Sequence, residues 1–189
     1  MSHMGPVDFE ARYRADPDPW SYESSDYERD KYDATLRACG AGPFRRALEL
    51  GSSIGVLSAR LAQRCDALVT IDAAATAVAA ARRRLEGYDT VTTILGEIPA
   101  AIPDGPYDLV LASEILYYLQ PEALEQTFAR LRAVIADDGR LVAVHWRPAG
   151  PERPFTAGEV HASLGTQSWL RQIDDASTDA YLLDVWERA

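Results

Sequence analysis

The chain has 189 residues, 47% apolar and 25% charged, with a formal net charge of −10. That make-up is ordinary for a soluble globular protein and is long enough for one well-buried domain. The acidic balance repels phosphate backbones and excludes nucleic acid as a partner. No apolar run approaches the ~20 residues that a membrane helix needs. The two cysteines, Cys39 and Cys65, lack metal-ligand spacing and give no disulfide framework, so a reducing cytoplasm is expected.

Residues 1–19 are read as a flexible leader. Met1-Ser-His-Met4 has the look of an expression scar, and Asp16-Pro-Asp-Pro19 resists helix. Residues 20–189 form the single domain. Ser24 to Cys39 is predicted as a helix ended by Gly40–Pro43. Ala47 to Leu50 reads as a buried strand, Val56 to Arg64 as a helix, and Ala67 to Ile71 as the second strand. Thr76 to Leu85 is a helix whose Arg82-Arg83-Arg84 run is a solvated face. Val91 to Leu95 and Tyr107 to Ala112 are strands three and four, and Pro121 to Ala136 is a helix opened by its proline. Asp137-Asp-Gly139 reads as a turn and Arg140 to Trp146 as strand five. Ser163 to Ile173 and Ala180 to Glu187 read as a closing hairpin. Alternating strands and helices predict an α/β, doubly wound, mostly parallel sheet, with ligands at the carboxyl ends of its strands.

The most informative stretch is Ala47–Asp72. Gly51-Ser-Ser-Ile-Gly55 lets the backbone turn sharply and approach a ligand closely. Asp72 follows Gly51 by 21 residues. That offset suits a carboxylate that accepts hydrogen bonds from both hydroxyls of a ribose held over the turn. A nucleoside-containing cofactor is therefore expected. The glycine fingerprint of a dinucleotide site is incomplete, which counts against NAD.

Glu49-Leu-Gly51-x-x-x-Gly55 resembles motif I of class I S-adenosylmethionine-dependent methyltransferases, written (E/D)-x-G-x-G-x-G, with Ser53 in place of the middle glycine. The combination Asp18-Pro-Trp20, Tyr27-Glu-Arg-x-Lys-Tyr32, the run Ala47–Asp66 and His145-Trp-Arg147 is similar to the NodS-type family. The resemblance runs from about Asp18 to the C-terminus. It implies a seven-stranded Rossmann-like methyltransferase fold with an N-terminal helical lid, and S-adenosyl-L-methionine as donor. The best-known members N-methylate a deacetylated sugar in nodulation factors, and relatives act on sugars in antibiotic biosynthesis.

On that resemblance, Asp72 holds the ribose, Glu97 and Ile98 the adenine, and Glu49, Gly51 and Ser53 the methionine end, with Ala73 also at the cofactor. Ser113 belongs to the same set. Trp20, Tyr27 and Tyr32 form a lid with Lys31. Tyr117 and Tyr118 wall a pocket that excludes water. Trp146 and Arg147 line the acceptor site, and His161 is a second polar candidate there. His145, at the carboxyl end of strand five, is placed as a general base. A placed base favours O-methylation of a saccharide, because an alcohol attacks poorly until its proton leaves. N-methylation of an amino sugar and a non-catalytic S-adenosylmethionine-binding subunit are the alternatives. No metal is expected, and the chain is read as a possible module of a larger protein.

Overall fold

The computed structural model describes residues 4–189. The expectation about Met1–His3 lies outside them. A seven-stranded sheet runs in the order β3-β2-β1-β4-β5-β7-β6. Its strands are β1 (Ala47–Leu50), β2 (Leu68–Asp72), β3 (Val91–Leu95), β4 (Tyr107–Ser113), β5 (Ile135–Trp146), β6 (Leu170–Asp175) and β7 (Tyr181–Arg188). Strands β1 to β5 are parallel, and β7 lies antiparallel between β5 and β6. Strand order reverses at the β1–β4 pair, which opens a crevice at their carboxyl ends.

Both faces of the sheet are covered, so its central strands are continuously apolar. Leu109, Leu111, Val142 and Val144 pack beneath α2 (Asp26–Cys39) and α3 (Val56–Ala62). Val110, Ala112, Leu141 and Ala143 face the other way, against α5 (Pro121–Val134) and α6 (Ala157–Gly165). Helix α4 (Ala75–Arg84) follows β2. Cys39 and Cys65 are buried free thiols. No helix among the described residues is long and apolar enough to cross a membrane.

Three expectations need correction. The leader is not flexible throughout: residues Pro6–Ala15 form α1, with Pro6 at its first turn, and the helix stops before Pro17. The segment is polar, but its few aromatics decide its fate. Tyr13 is buried, and Phe9 meets Tyr118 edge-on at 4.9 Å. Asp137-Asp-Gly139 does not reverse the chain. It lies inside β5 as a bulge, where pairing jumps from Tyr107↔Ile135 to Leu109↔Arg140 and Asp138 takes φ 61°. Turns and bulges want the same left-handed residues, so the signal was ambiguous. Finally, the predicted strand from Ser163 is split into α6 and β6. The overlooked signal is a capping box: Thr156 Oγ1 accepts from the Glu159 N–H, and Glu159 accepts from the Thr156 N–H at 2.7 Å.

Candidate functional site

A cavity of about 540 Å³ opens at the carboxyl ends of β1, β2, β3 and β4, in the size range of small-molecule sites. One wall is the turn after β1. Gly51, Ser53 and Gly55 all take positive φ (76°, 49° and 80°). The turn is held by Asp72 at the end of β2: its carboxylate accepts from the Ser53 N–H at 2.8 Å and from the Ala74 N–H at 2.9 Å. Burial raises the Asp72 pKa above the ordinary aspartate value, against the pull of those N–H groups. Ser53 is a non-glycine residue in a region that disfavours side chains, but its hydroxyl is used. It lies 2.5 Å from the Tyr13 hydroxyl of α1. The departure from the glycine motif thus ties the N-terminal helix to the turn.

Ala73, Glu97, Ile98 and Ser113 line the same cavity beside that turn. Trp20 and Tyr27 line it from the N-terminal side. Tyr32 and Glu49 do not reach the main cavity; they line a small annexe behind the turn. Glu49 is 1% exposed and accepts from the Ser58 hydroxyl at 2.5 Å. Burial pushes its pKa up to about 7. Because the folded pKa lies above the unfolded one, the protonated folded state is favoured. Glu49 stability is full below about pH 4.5 and declines by about 3 kcal/mol as pH rises to about 7. Glu49→Gln is expected to remove that decline and to unfold at higher urea than wild type at about pH 8. Parallel wild-type and variant curves across that range would refute it.

Opposite the turn lies a polar cluster that the sequence reading did not assemble. Lys31, on α2 and 2% exposed, bonds Glu28 at 2.9 Å and Glu114 at 2.8 Å. Burial opposes the Lys31 charge, but the Glu114 and Glu28 carboxylates outweigh it and hold its pKa above the ordinary lysine value. Burial raises the Glu28 pKa despite Lys31. Glu114 sits just after β4 at φ 55°. Besides Lys31 it takes the Tyr117 hydroxyl and, at 3.0 Å, the Trp146 N–H. Tyr117 and Tyr118 line the cavity. Trp146 is 42% exposed at the rim, with the Arg153 guanidinium 5.4 Å from its ring centre. The cavity lining carries five carboxylates (Glu28, Asp72, Glu97, Glu114, Glu152) against two cations (Lys31, Arg153), so it suits a cationic ligand. No cluster among the described residues could hold a metal ion.

Three predicted residues are elsewhere. His145 is fully buried beneath the site, with both ring nitrogens occupied by protein partners. Burial, and then His161, push its pKa well below the ordinary histidine value. It has no access to an acceptor and is not the base. His161 lies on α6, bonded to Asp184. Arg147 turns away from the cavity, where its Nε–H donates to the Thr178 carbonyl at 2.6 Å. The cause is strand parity. Along β5, His145 shares the α6 face with Ala143, so Trp146 is the residue that reaches the cavity rim.

A sequence profile of the family described as Nodulation protein S (NodS) matches residues 7–153. Nodulation protein S of Sinorhizobium fredii is 29% identical over 133 residues, covering 69% of this chain and 62% of that protein. The chain spans about three fifths of the length of such curated relatives. A Pseudomonas syringae crystal structure, described as a methyltransferase on provisional grounds, is 35% identical with a TM-score of 0.75, covering 86% of this chain and 99% of that one. The N-methyltransferase NodS from Bradyrhizobium japonicum WM9, crystallised with S-adenosyl-l-homocysteine, superposes with a TM-score of 0.87 at 22% identity, covering 98% and 99% of the two chains. At that identity the likeness establishes the fold.

Proposed function

The chain belongs to the NodS family, and from that membership we propose that it transfers the methyl group of S-adenosylmethionine to an amino group of a small saccharide. The observation that carries the reading is the Glu28–Lys31–Glu114 cluster facing the Asp72 turn across one cavity. The cluster's two carboxylates outnumber its one ammonium, so an amine in its protonated form is drawn to it. The expected O-methylation rested on His145 as base, and the burial of His145 removes that support.

The residues fit the donor. S-adenosylmethionine supplies an electrophilic methyl group on a sulfonium cation when bound. Asp72 would accept the ribose hydroxyls, with its other lone pairs already fixed by the Ser53 and Ala74 N–H groups. Glu97 and Ile98 would hold the adenine, and the acidic lining would favour the positive end. Glu114 accepts an N–H of the acceptor amine and so aims its lone pair at the methyl carbon. An ammonium acceptor would first yield a proton to water; as the C–N bond formed the C–S bond would break, leaving S-adenosylhomocysteine, and the methylated nitrogen would then release its extra proton to water or to a carboxylate. The aromatic walls of Phe9, Trp20, Tyr117 and Tyr118 keep water from competing.

Incubation with S-adenosylmethionine and a glucosamine oligomer, followed by mass spectrometry, tests this. Methylation of the free-amine oligomer and not of its N-acetylated counterpart is expected. Methylation of the acetylated oligomer would restore the oxygen acceptor, and absence of transfer to either would overturn the saccharide reading. Trp146 is placed to stack on a sugar ring. Trp146→Ala is expected to raise KM for the oligomer by about 3- to 10-fold with kcat little changed. An unchanged KM would remove it from the acceptor site.

A further inference from the structure

Beneath the cavity runs a buried chain of hydrogen bonds that the methyl-transfer reading does not use. The Leu116 N–H donates to His145 Nε2 at 3.2 Å. His145 Nδ1 lies 2.9 Å from His161 Nε2, and His161 Nδ1 lies 2.7 Å from Asp184 Oδ2. Gln172 donates to the other Asp184 oxygen at 3.0 Å. Five elements are joined this way: the 3-10 turn Leu116–Tyr118, β5, α6, β7 and, through Gln172, β6. Asp184 pairs with Ala143, two residues before His145. The small Ala143 side chain leaves room for His161 to span from one to the other.

The chain admits one proton arrangement. A backbone N–H is always a donor, so His145 Nε2 must be the bare nitrogen. His145 then carries its proton on Nδ1 and donates to His161 Nε2. His161 in turn carries its proton on Nδ1 and donates to Asp184. The Asp184 carboxylate thus dictates, through two imidazoles, which atom receives the Leu116 N–H. Leu116 is flanked by Ile115 and Tyr117, which both line the cavity, and Glu114 with its left-handed backbone opens the same turn.

We propose that His145, His161 and Asp184 are positioning residues that hold the Glu114–Tyr118 turn in the geometry that presents Glu114 and Tyr117 to the acceptor. The proposal rests on the acceptor reading of the cavity given above. Groups bearing on His145 come from every side: His161 from α6, Lys31 from α2, Arg153 from the loop before α6, and the Tyr117 ring at 4.9 Å from the turn. Burial disfavours imidazolium at His145, and these neighbouring positive groups add to it. A second proton would put an N–H against the Leu116 N–H and break the turn's anchor.

The chain has three histidines in all, so their imidazole nitrogens are readily assigned by long-range proton–nitrogen correlation spectra. In the wild type, His145 and His161 are both expected in the neutral Nδ1–H form, with His145 unchanged from about pH 8 to about pH 5. His145 in the Nε2–H form, or titrating like a free histidine, would overturn the proposal. His161→Leu removes the acceptor for His145 Nδ1–H; His161→Gln restores one, since its amide oxygen overlays the lost nitrogen. For His161→Leu the expected results are a His145 Nδ1–H left without an acceptor and so shifted in its nitrogen resonance, faster amide exchange at Leu116, and a kcat on the glucosamine oligomer down by ~10-fold or more. The S-adenosylhomocysteine Kd should stay within about 3-fold. His161→Gln should recover all three. Unchanged Leu116 exchange in His161→Leu would overturn positioning, as would a His161→Gln no better than the leucine variant. If the leucine variant fails to fold, the wild-type and glutamine spectra decide. If the wild type shows no turnover, the acceptor reading fails, and with it the acceptor role of this chain.

Discussion

Asp72→Ala is expected to weaken S-adenosylhomocysteine binding by ~100-fold or more, about 3 kcal/mol. Asp72 is the one carboxylate that both closes the glycine turn and faces the cavity, through the Ser53 and Ala74 N–H groups on one side and open space on the other. Two charge-assisted bonds to ribose hydroxyls would be lost together. The turn itself would also lose the acceptor that fixes Ser53 at φ 49°. The fold should survive, because burial already disfavours the Asp72 charge in the free protein. A variant that melts near the wild-type temperature but binds poorly is the expected pattern. A Kd within about 3-fold of wild type would take the ribose role away from Asp72.

The second large effect is expected at Glu114. Three donors converge on its carboxylate: the Lys31 ammonium, the Tyr117 hydroxyl and the Trp146 N–H. Glu114→Gln keeps the shape but has one acceptor oxygen, so its NH2 must face at least one of those donors. Lys31 would keep Glu28 as partner and the fold should hold. The turn and the acceptor contact would be disturbed together. A fall in kcat of ~100-fold is expected, with S-adenosylhomocysteine affinity within about 3-fold of wild type. Wild-type kcat in this variant would move the acceptor elsewhere in the cavity.

These two sites show what a sequence can and cannot disclose. Asp72 was legible because it is set by local spacing: a strand, a glycine turn, a helix and a second strand fix the distance between turn and acid whatever surrounds them. The mostly parallel sheet followed from the alternation of strands and helices along the chain. Glu114 carries no such local signal. Its importance comes from Lys31, 83 residues away in sequence, and from a left-handed backbone that only a structure reveals. His145 failed for the opposite reason. Its position at the end of β5 was right, but a strand sends neighbouring side chains to opposite faces, and a difference of one residue put Trp146 at the rim and His145 in the core. Helix α1 was missed because its apolar content is low. What holds it is Tyr13 on Ser53, Phe9 on Tyr118 and Glu10 on Thr76, all long-range contacts. Ser53 had been noted as a departure from the glycine pattern, and the hydroxyl that makes it a departure is the one that receives α1.

The measurement that bears most directly on the central claim is a calorimetric titration of the protein with S-adenosylhomocysteine, with NAD as the control. The account predicts a single site with a Kd in roughly the micromolar range and no heat from NAD. No binding of the adenosyl ligand, or tighter binding of NAD, would contradict it.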